Sequence, residues 1–355
     1  MPSANEKLMD SAIFRSLRQK GVEDRIALEV ARVMRDEVLP NIARTLDRLP
    51  FNSLKGTDFR LIQLRNAIQN GMAWDQVTNP LTNAMRDLAV DEAGVTIAQL
   101  KSATPIDLAF ITPGPDLLIA AVMEQPFNGV LMSEWFAKVG AKAQQDIYEA
   151  FRVGMIEGKS IPRMSADLLD RNYEAFTTNG IQRAVDNAQA VARTAANLVQ
   201  NRARQTVYRA NEDIVKGVEY IATLDDRTTF ICMKLHGNVY PIGEGERPPQ
   251  HWNCRSTTIP VLKSWRELGI DKDDITKQEQ ADMDGRVPKP KTFDAWLNTK
   301  PERVQNKLLG PVRAQMWREG RVADVSGFVD NNGGTIPLKD FGLNRAGNPL
   351  ELEVK

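Results

Sequence analysis

Residues 220–262 read YIATLDDRTTFICMKLHGNVYPIGEGERPPQHWNCRSTTIPVL. This stretch holds Cys232, His236, His251 and Cys254, the only two cysteines and two histidines among 355 residues. Independent scattering would not gather residues this scarce in one window. Their spacing is C-x3-H, then fourteen residues, then H-x2-C. Thiolate sulfur and imidazole nitrogen suit a borderline-soft divalent cation, zinc first, and four such donors fill a tetrahedral shell. A filled shell is structural, because no position remains for a reacting group. A metal would also brace a turn-rich segment too short to build its own apolar core. The plainer readings stand beside this one. Cys232 serves as a small buried hydrophobe, His236 sits on a surface loop, and Cys232 and Cys254 lie close as a reduced pair. His251 and Cys254 carry the ligand reading best, and His236 least.

Around the four residues the chain is extended and turning. VEYIATL (218–224) is rich in β-branched and aromatic residues and predicts a strand. Gly237, Gly243, Gly245 and Pro248-Pro249 then punctuate short strands and turns up to Leu262. Asp225, Asp226 and Arg227 follow the strand. A catalytic reading makes the two Asp residues acids or metal ligands. The structural reading is preferred: Asp226 accepts hydrogen bonds from turn N–H groups, Arg227 pairs with a carboxylate or carbonyl, and Arg255 ties back to one of the Asp residues.

Outward from the window the pattern is helical. The stretch 180–214 is free of Gly and Pro from residue 181 onward and predicts one long helix with a stripe of Val185, Ala188, Ala192, Ala195 and Leu198. Residues 182–210 hold Arg183, Arg193, Arg202, Arg204 and Arg209 against Asp186, and the acids resume at Glu212 and Asp213. That run reads as a solvated helix face, or as a DNA- or partner-facing patch with Arg202, Arg204 and Arg209 as its contacts. Upstream, residues 1–50 predict helix with a break or kink at Pro40. Further helices are expected at 57–70, 79–91 (from Asn79-Pro80), 94–102, 116–123 and 133–151, and at 166–176 behind a Ser165 cap. Downstream, short helices are expected at 264–268 and 276–283, and an extended linker at 285–291. A helix capped by Thr292, helices from Pro301 to Leu309 and from Pro311 to Glu319, and a turn at Asn331–Gly334 follow.

The predicted class is therefore α+β. A mainly helical N-terminal domain (1–215) leads into a small turn-rich, β-containing Cys/His module (216–263), then a helical C-terminal extension (264–355). With 42% hydrophobic and 26% charged residues the balance is globular. Lys plus Arg equals Asp plus Glu, at 46 each, so bulk attraction to a polyanion is excluded. No apolar run reaches the length of a membrane helix. The start MPSANEKLMD lacks a signal-peptide pattern, so folding in a cytoplasm without lasting disulfides is expected.

The elements Leu224-Asp225-Asp226-Arg227-Thr228, Cys232, Gly237, Pro248-Pro249 and His251-Trp252-Asn253-Cys254-Arg255, with Ala192-Arg193-Thr194 on the preceding helix, resemble the phage Mu F-like minor head proteins, also called the phage head morphogenesis family. Many members carry Cys where this chain has Thr229 and Ser256, and Asp where it has His236. A site using those extra Cys residues cannot form here. Either Cys232, His236, His251 and Cys254 hold a structural zinc, or hydrogen bonds hold the fold. The stretch 292–330 also resembles the tail of one branch of these proteins. The resemblance implies a non-enzymatic minor head protein of a tailed bacteriophage, incorporated near the portal during procapsid assembly. Its expected partners are the portal protein, capsid or scaffold proteins and phage DNA, and no membrane. Its expected place is the virion head interior, after assembly in the bacterial cytoplasm. Two alternatives stand beside this reading: a ββα-metal nuclease using His251 and Asn253, and a DNA-binding module using Arg202, Arg204 and Arg209. A nucleophilic Cys232 or Cys254 lacks activating surroundings in the sequence.

Overall fold

The computed structural model describes residues 4–48, 57–104, 108–127, 129–169, 182–269, 271, 279–282, 285–288 and 292–350. Helix α1 (Ala4–Val33) passes through a π-helical turn (Met34–Val38) into α2 (Leu39–Asp47). Pro40 lies in the first turn of α2, so the expected break takes the form of a widened turn just before a residue that has no N–H. Next come α3 (Thr57–Gly71) and α4 (Asp75–Ala103). The two helices expected at 79–91 and 94–102 are one, and it begins ahead of Asn79. Buried Val77, Leu81, Met85 and Leu88 form a continuous stripe on both sides of Pro80, and this packing outweighs the lost backbone bond. Helix α5 (Pro115–Met123) starts on a proline at its first position, and α6 is Met132–Ile156. Ser165 lies inside α7 (Ile161–Leu169), buried, and so is not the expected cap. Residues 170–176 of that expected helix lie outside the described residues.

Helix α8 (Gln182–Ala210) is the axis of the larger core, packed against α1, α4, α5 and α6. Its expected stripe, Val185, Ala188, Ala192, Ala195 and Leu198, is buried throughout. Alanines let neighbouring helices approach closely, so α8 can be covered on several sides at once.

The chain then turns into β1 (Val215–Ile221), the middle strand of an antiparallel sheet between β2 (Val239–Pro241) and β3 (Thr257–Leu262). A Cβ on Gly217 would stand 2.7 Å from the Tyr240 carbonyl oxygen, so the β1–β2 pairing requires glycine there. Between these strands lies a short helix absent from the sequence reading, α9 (Phe230–Leu235). Beyond β3, residues 264–268 form a hydrogen-bonded turn and not a helix. Glu279–Asp282 (β4) is likewise extended, paired with Gly285–Pro288 (β5), where the sequence predicted helix and linker. The rest of those two stretches lies outside the described residues. Helices α10 (Phe293–Leu297), α11 (Glu302–Leu309) and α12 (Pro311–Arg318) follow. The Thr292 hydroxyl caps α10 through the Ala295 N–H, and Val329 bridges Thr335 around the expected turn.

The sheet stands between two apolar clusters. Val215, Val218 and Leu262 join the helical core. Tyr220, Ala222, Leu224, Cys232, Met233, Leu235 and Cys254 join a second core with Phe293, Trp296, Trp317, Val325 and Phe328. The Cys/His window therefore does not rely on a metal in place of a core, as its length suggested. The C-terminal helices give it one. Among the described residues no helix is long and apolar enough to cross a membrane.

Candidate metal centre

Cys232 lies on α9, and His251 and Cys254 on the turn leading to β3. One ligand atom from each of the three lies within 4.8 Å of the others. Cys232 Sγ is 3.7 Å from Cys254 Sγ and 3.3 Å from His251 Nε2. Tetrahedral zinc with sulfur at about 2.3 Å and nitrogen at about 2.0 Å sets sulfurs roughly 3.8 Å apart, and sulfur and nitrogen roughly 3.6 Å apart. These two edges are close to those of a zinc tetrahedron, and the donor set fits the metal.

The imidazole is aimed by its own backbone. His251 Nδ1 lies 2.9 Å from the Trp252 carbonyl, which can only accept, so Nδ1 carries the proton. The Nε2 lone pair is left facing Cys232 and the Thr229 hydroxyl, the latter at 2.8 Å. His236 is not in this cluster. Its Nδ1 accepts the Ala222 N–H at 3.2 Å, and its ring meets Phe293 edge-on.

Protonation within the cluster is unequal. The Cys254 thiol donates to Cys232 and pulls it down to about 6. Cys254, holding that shared proton in a buried site, is pushed up to about 12. The first proton leaves the pair easily and the second reluctantly. Burial works against a charged His251, but hydrogen bonding to Cys254 and its charge raise it overall. The Tyr220 hydroxyl, 3.3 Å from Cys232 Sγ, is buried and raised well above its ordinary range.

The turn after β1 is held by Asp225 and not by Asp226. Asp225 Oδ1 accepts the Arg227 N–H at 3.0 Å and the Thr228 hydroxyl at 3.2 Å, while Arg255 grips both carboxylate oxygens. Burial opposes its charge, yet the Arg255 guanidinium holds its carboxyl below the usual range. Asp226 instead pairs with Lys307 of α11. The expected tie from Arg255 across the window is present. Arg227 lies exposed at the pocket mouth, 3.9 Å from Asp225. Gly237, with φ of 81°, turns the chain so that its N–H reaches the Tyr220 carbonyl. With Asp225 and Asp226 engaged by cations, neither is a free metal ligand beside His251 for a nuclease.

Asn253 links the loop to the helical core. It adopts a left-handed conformation (φ 57°), and its N–H donates to Thr194 Oγ1 on α8 at 2.9 Å. Two elements far apart in sequence, Ala192-Arg193-Thr194 and His251-Trp252-Asn253-Cys254-Arg255, thus meet in one hydrogen bond. Residues 145–259 match the family described as phage Mu protein F like protein. This part of the chain resembles the phage Mu F-like proteins. No curated protein and no solved structure matches the chain.

Inside the Mu F-like segment the arginines are committed. Arg204 is fully buried, paired at 2.7 Å with the equally buried Glu92 of α4 and bonded to Gln19 and Thr257. Arg202 donates to the carbonyls of Val122, Gln125 and Pro126, and burial pulls its pKa down to about 10. Each is thus engaged by internal acceptors. Arg209 is exposed. The same network reaches the Mu F-like loop through Asn197, whose amide donates to the Ser256 carbonyl and to Glu23, both at 3.2 Å. Burial pushes the Glu23 carboxyl up to about 7. Sequence reasoning missed this network. Gln19, Glu23 and Glu92 look like ordinary surface residues of amphipathic helices, and nothing in their spacing marks them as buried partners of Arg204.

Proposed function

We propose that the chain is a structural minor head protein of a tailed bacteriophage, taken into the procapsid beside the portal, and that it performs no catalytic turnover. The observation that carries this reading is the Mu F-like match over residues 145–259. The geometry supports a bracing role for the residues of that segment. Asp225 and Arg255 close the turn, Thr194 anchors the loop, and Cys232, His251 and Cys254 gather at its centre. Zinc bound by these three side chains would lock the loop onto α9 as a structural brace. The helical surfaces of residues 1–215 would meet the portal and capsid or scaffold proteins. With Arg202 and Arg204 committed internally, any contact with packaged DNA falls to exposed cations such as Arg209.

Electron microscopy of procapsids carrying a labelled copy of this chain tests the reading. Density beside the portal vertex is expected. Label spread evenly over the shell, or absent from particles, would overturn it.

A further inference from the structure

We infer that a metal held by Cys232, His251 and Cys254 has three protein ligands only, and that its fourth position is kept for an exchangeable small anion entering beside Arg227. This rests on the metal reading above. The three donors lie within 4.8 Å of one another, and the cluster has no fourth Cys, His, Asp or Glu among the described residues. His236, the fourth candidate by spacing, does not join the converging donors, and its Nδ1 accepts the Ala222 N–H. Three protein ligands and one open position is the arrangement that permits ligand exchange, whereas a closed four-ligand shell does not.

The pocket over this centre is half open to solvent, with a cavity of about 10 Å³, and Arg227, Arg255, Thr228, Thr229 and Asn253 line it beside Cys232 and His251. Its other polar groups are neutral hydroxyls, an amide and two guanidiniums, which are weak competitors for a borderline-soft cation. The charges favour an anion. A divalent cation with two thiolates is neutral, and Arg255 is balanced by its two-pronged pair with Asp225. Arg227 remains, 66% exposed and only loosely associated with Asp225 at 3.9 Å, as a cation at the mouth. A small monoanion such as a carboxylate or thiocyanate matches both the open position and that guanidinium.

Cobalt(II) loaded into the full chain makes the coordination shell visible through its d–d absorption. Titration with thiocyanate should give a saturable spectral change. Arg227→Met should weaken the anion's apparent affinity about fivefold while leaving cobalt affinity unchanged. Thr229→Cys places a thiol next to His251 Nε2; it should strengthen the sulfur-to-metal charge-transfer band and abolish the thiocyanate response. Cobalt bound by the wild type with a spectrum indifferent to excess thiocyanate would overturn the open position and leave the metal reading intact. Failure to bind cobalt or zinc at all would overturn both.

Discussion

Thr194 Oγ1 accepts the Asn253 N–H at 2.9 Å, joining the middle of the central helix to the tip of the Cys/His loop across 59 residues of sequence. The same hydroxyl donates to the Ala190 carbonyl, so one side chain serves both the helix and the loop. Replacing it with valine keeps the shape and strands a half-buried N–H. Thr194→Val should lower unfolding stability by about 2 kcal/mol in urea titrations, and Thr194→Ser should recover most of that loss.

Arg204 and Glu92 form a fully buried ion pair beneath β3. Removing one partner leaves a charge in the interior. Arg204→Met should therefore cost about 3 kcal/mol or more in equilibrium denaturation. Adding Glu92→Leu removes the stranded charge, and the double variant should be more stable than Arg204→Met alone. Its other ion partner, Arg18, keeps partial access to water and tolerates the loss.

Glu23 sets a pH dependence. Its folded pKa of about 7 lies above the ordinary 4.5, so between those values the folded chain holds a proton that the unfolded chain has released. Stability contributed by this group is full below about pH 4.5 and is lost as pH rises through 7, a fall of roughly 3 kcal/mol. Glu23→Gln keeps an acceptor for Gln19 and Asn197 and has no proton to lose. Thermal melts across pH 5 to 8 should show that slope in the wild type and a flatter profile in the variant.

Metal removal should loosen the loop without unfolding the chain. The second core, built with Phe293, Trp296 and Phe328, remains when the ligands are empty. A chelator should lower the melting midpoint by an amount equivalent to about 3 kcal/mol if zinc stands a hundredfold above its Kd. Far-ultraviolet circular dichroism should stay mostly helical.

Periodicity and turn chemistry made much of the fold legible. The long α8 follows from a Gly- and Pro-free run, and α10 from its Thr292 cap. Tertiary packing defeated the rest. Pro80 does not end α4, because buried residues continue on both sides of it. The paired strands Glu279–Asp282 and Gly285–Pro288 carry no alternating apolar pattern from which pairing could be read. In the site, the convergence of Cys232, His251 and Cys254 could be read from scarcity and spacing. That Asp225, and not Asp226, takes the turn depends on which carboxylate faces Arg255, which sequence adjacency cannot tell. The burial of Arg204 is set by Glu92, more than a hundred residues away in the chain.

On the proposed reading, the sulfur and imidazole groups brace an assembly part. The most direct test is the amount of Cys254→Ser protein in gradient-purified procapsids, measured by quantitative mass spectrometry against the major capsid protein. The account predicts that the variant, though expressed, falls to background in particles. A soluble Cys254→Ser chain incorporated at the wild-type level would contradict it.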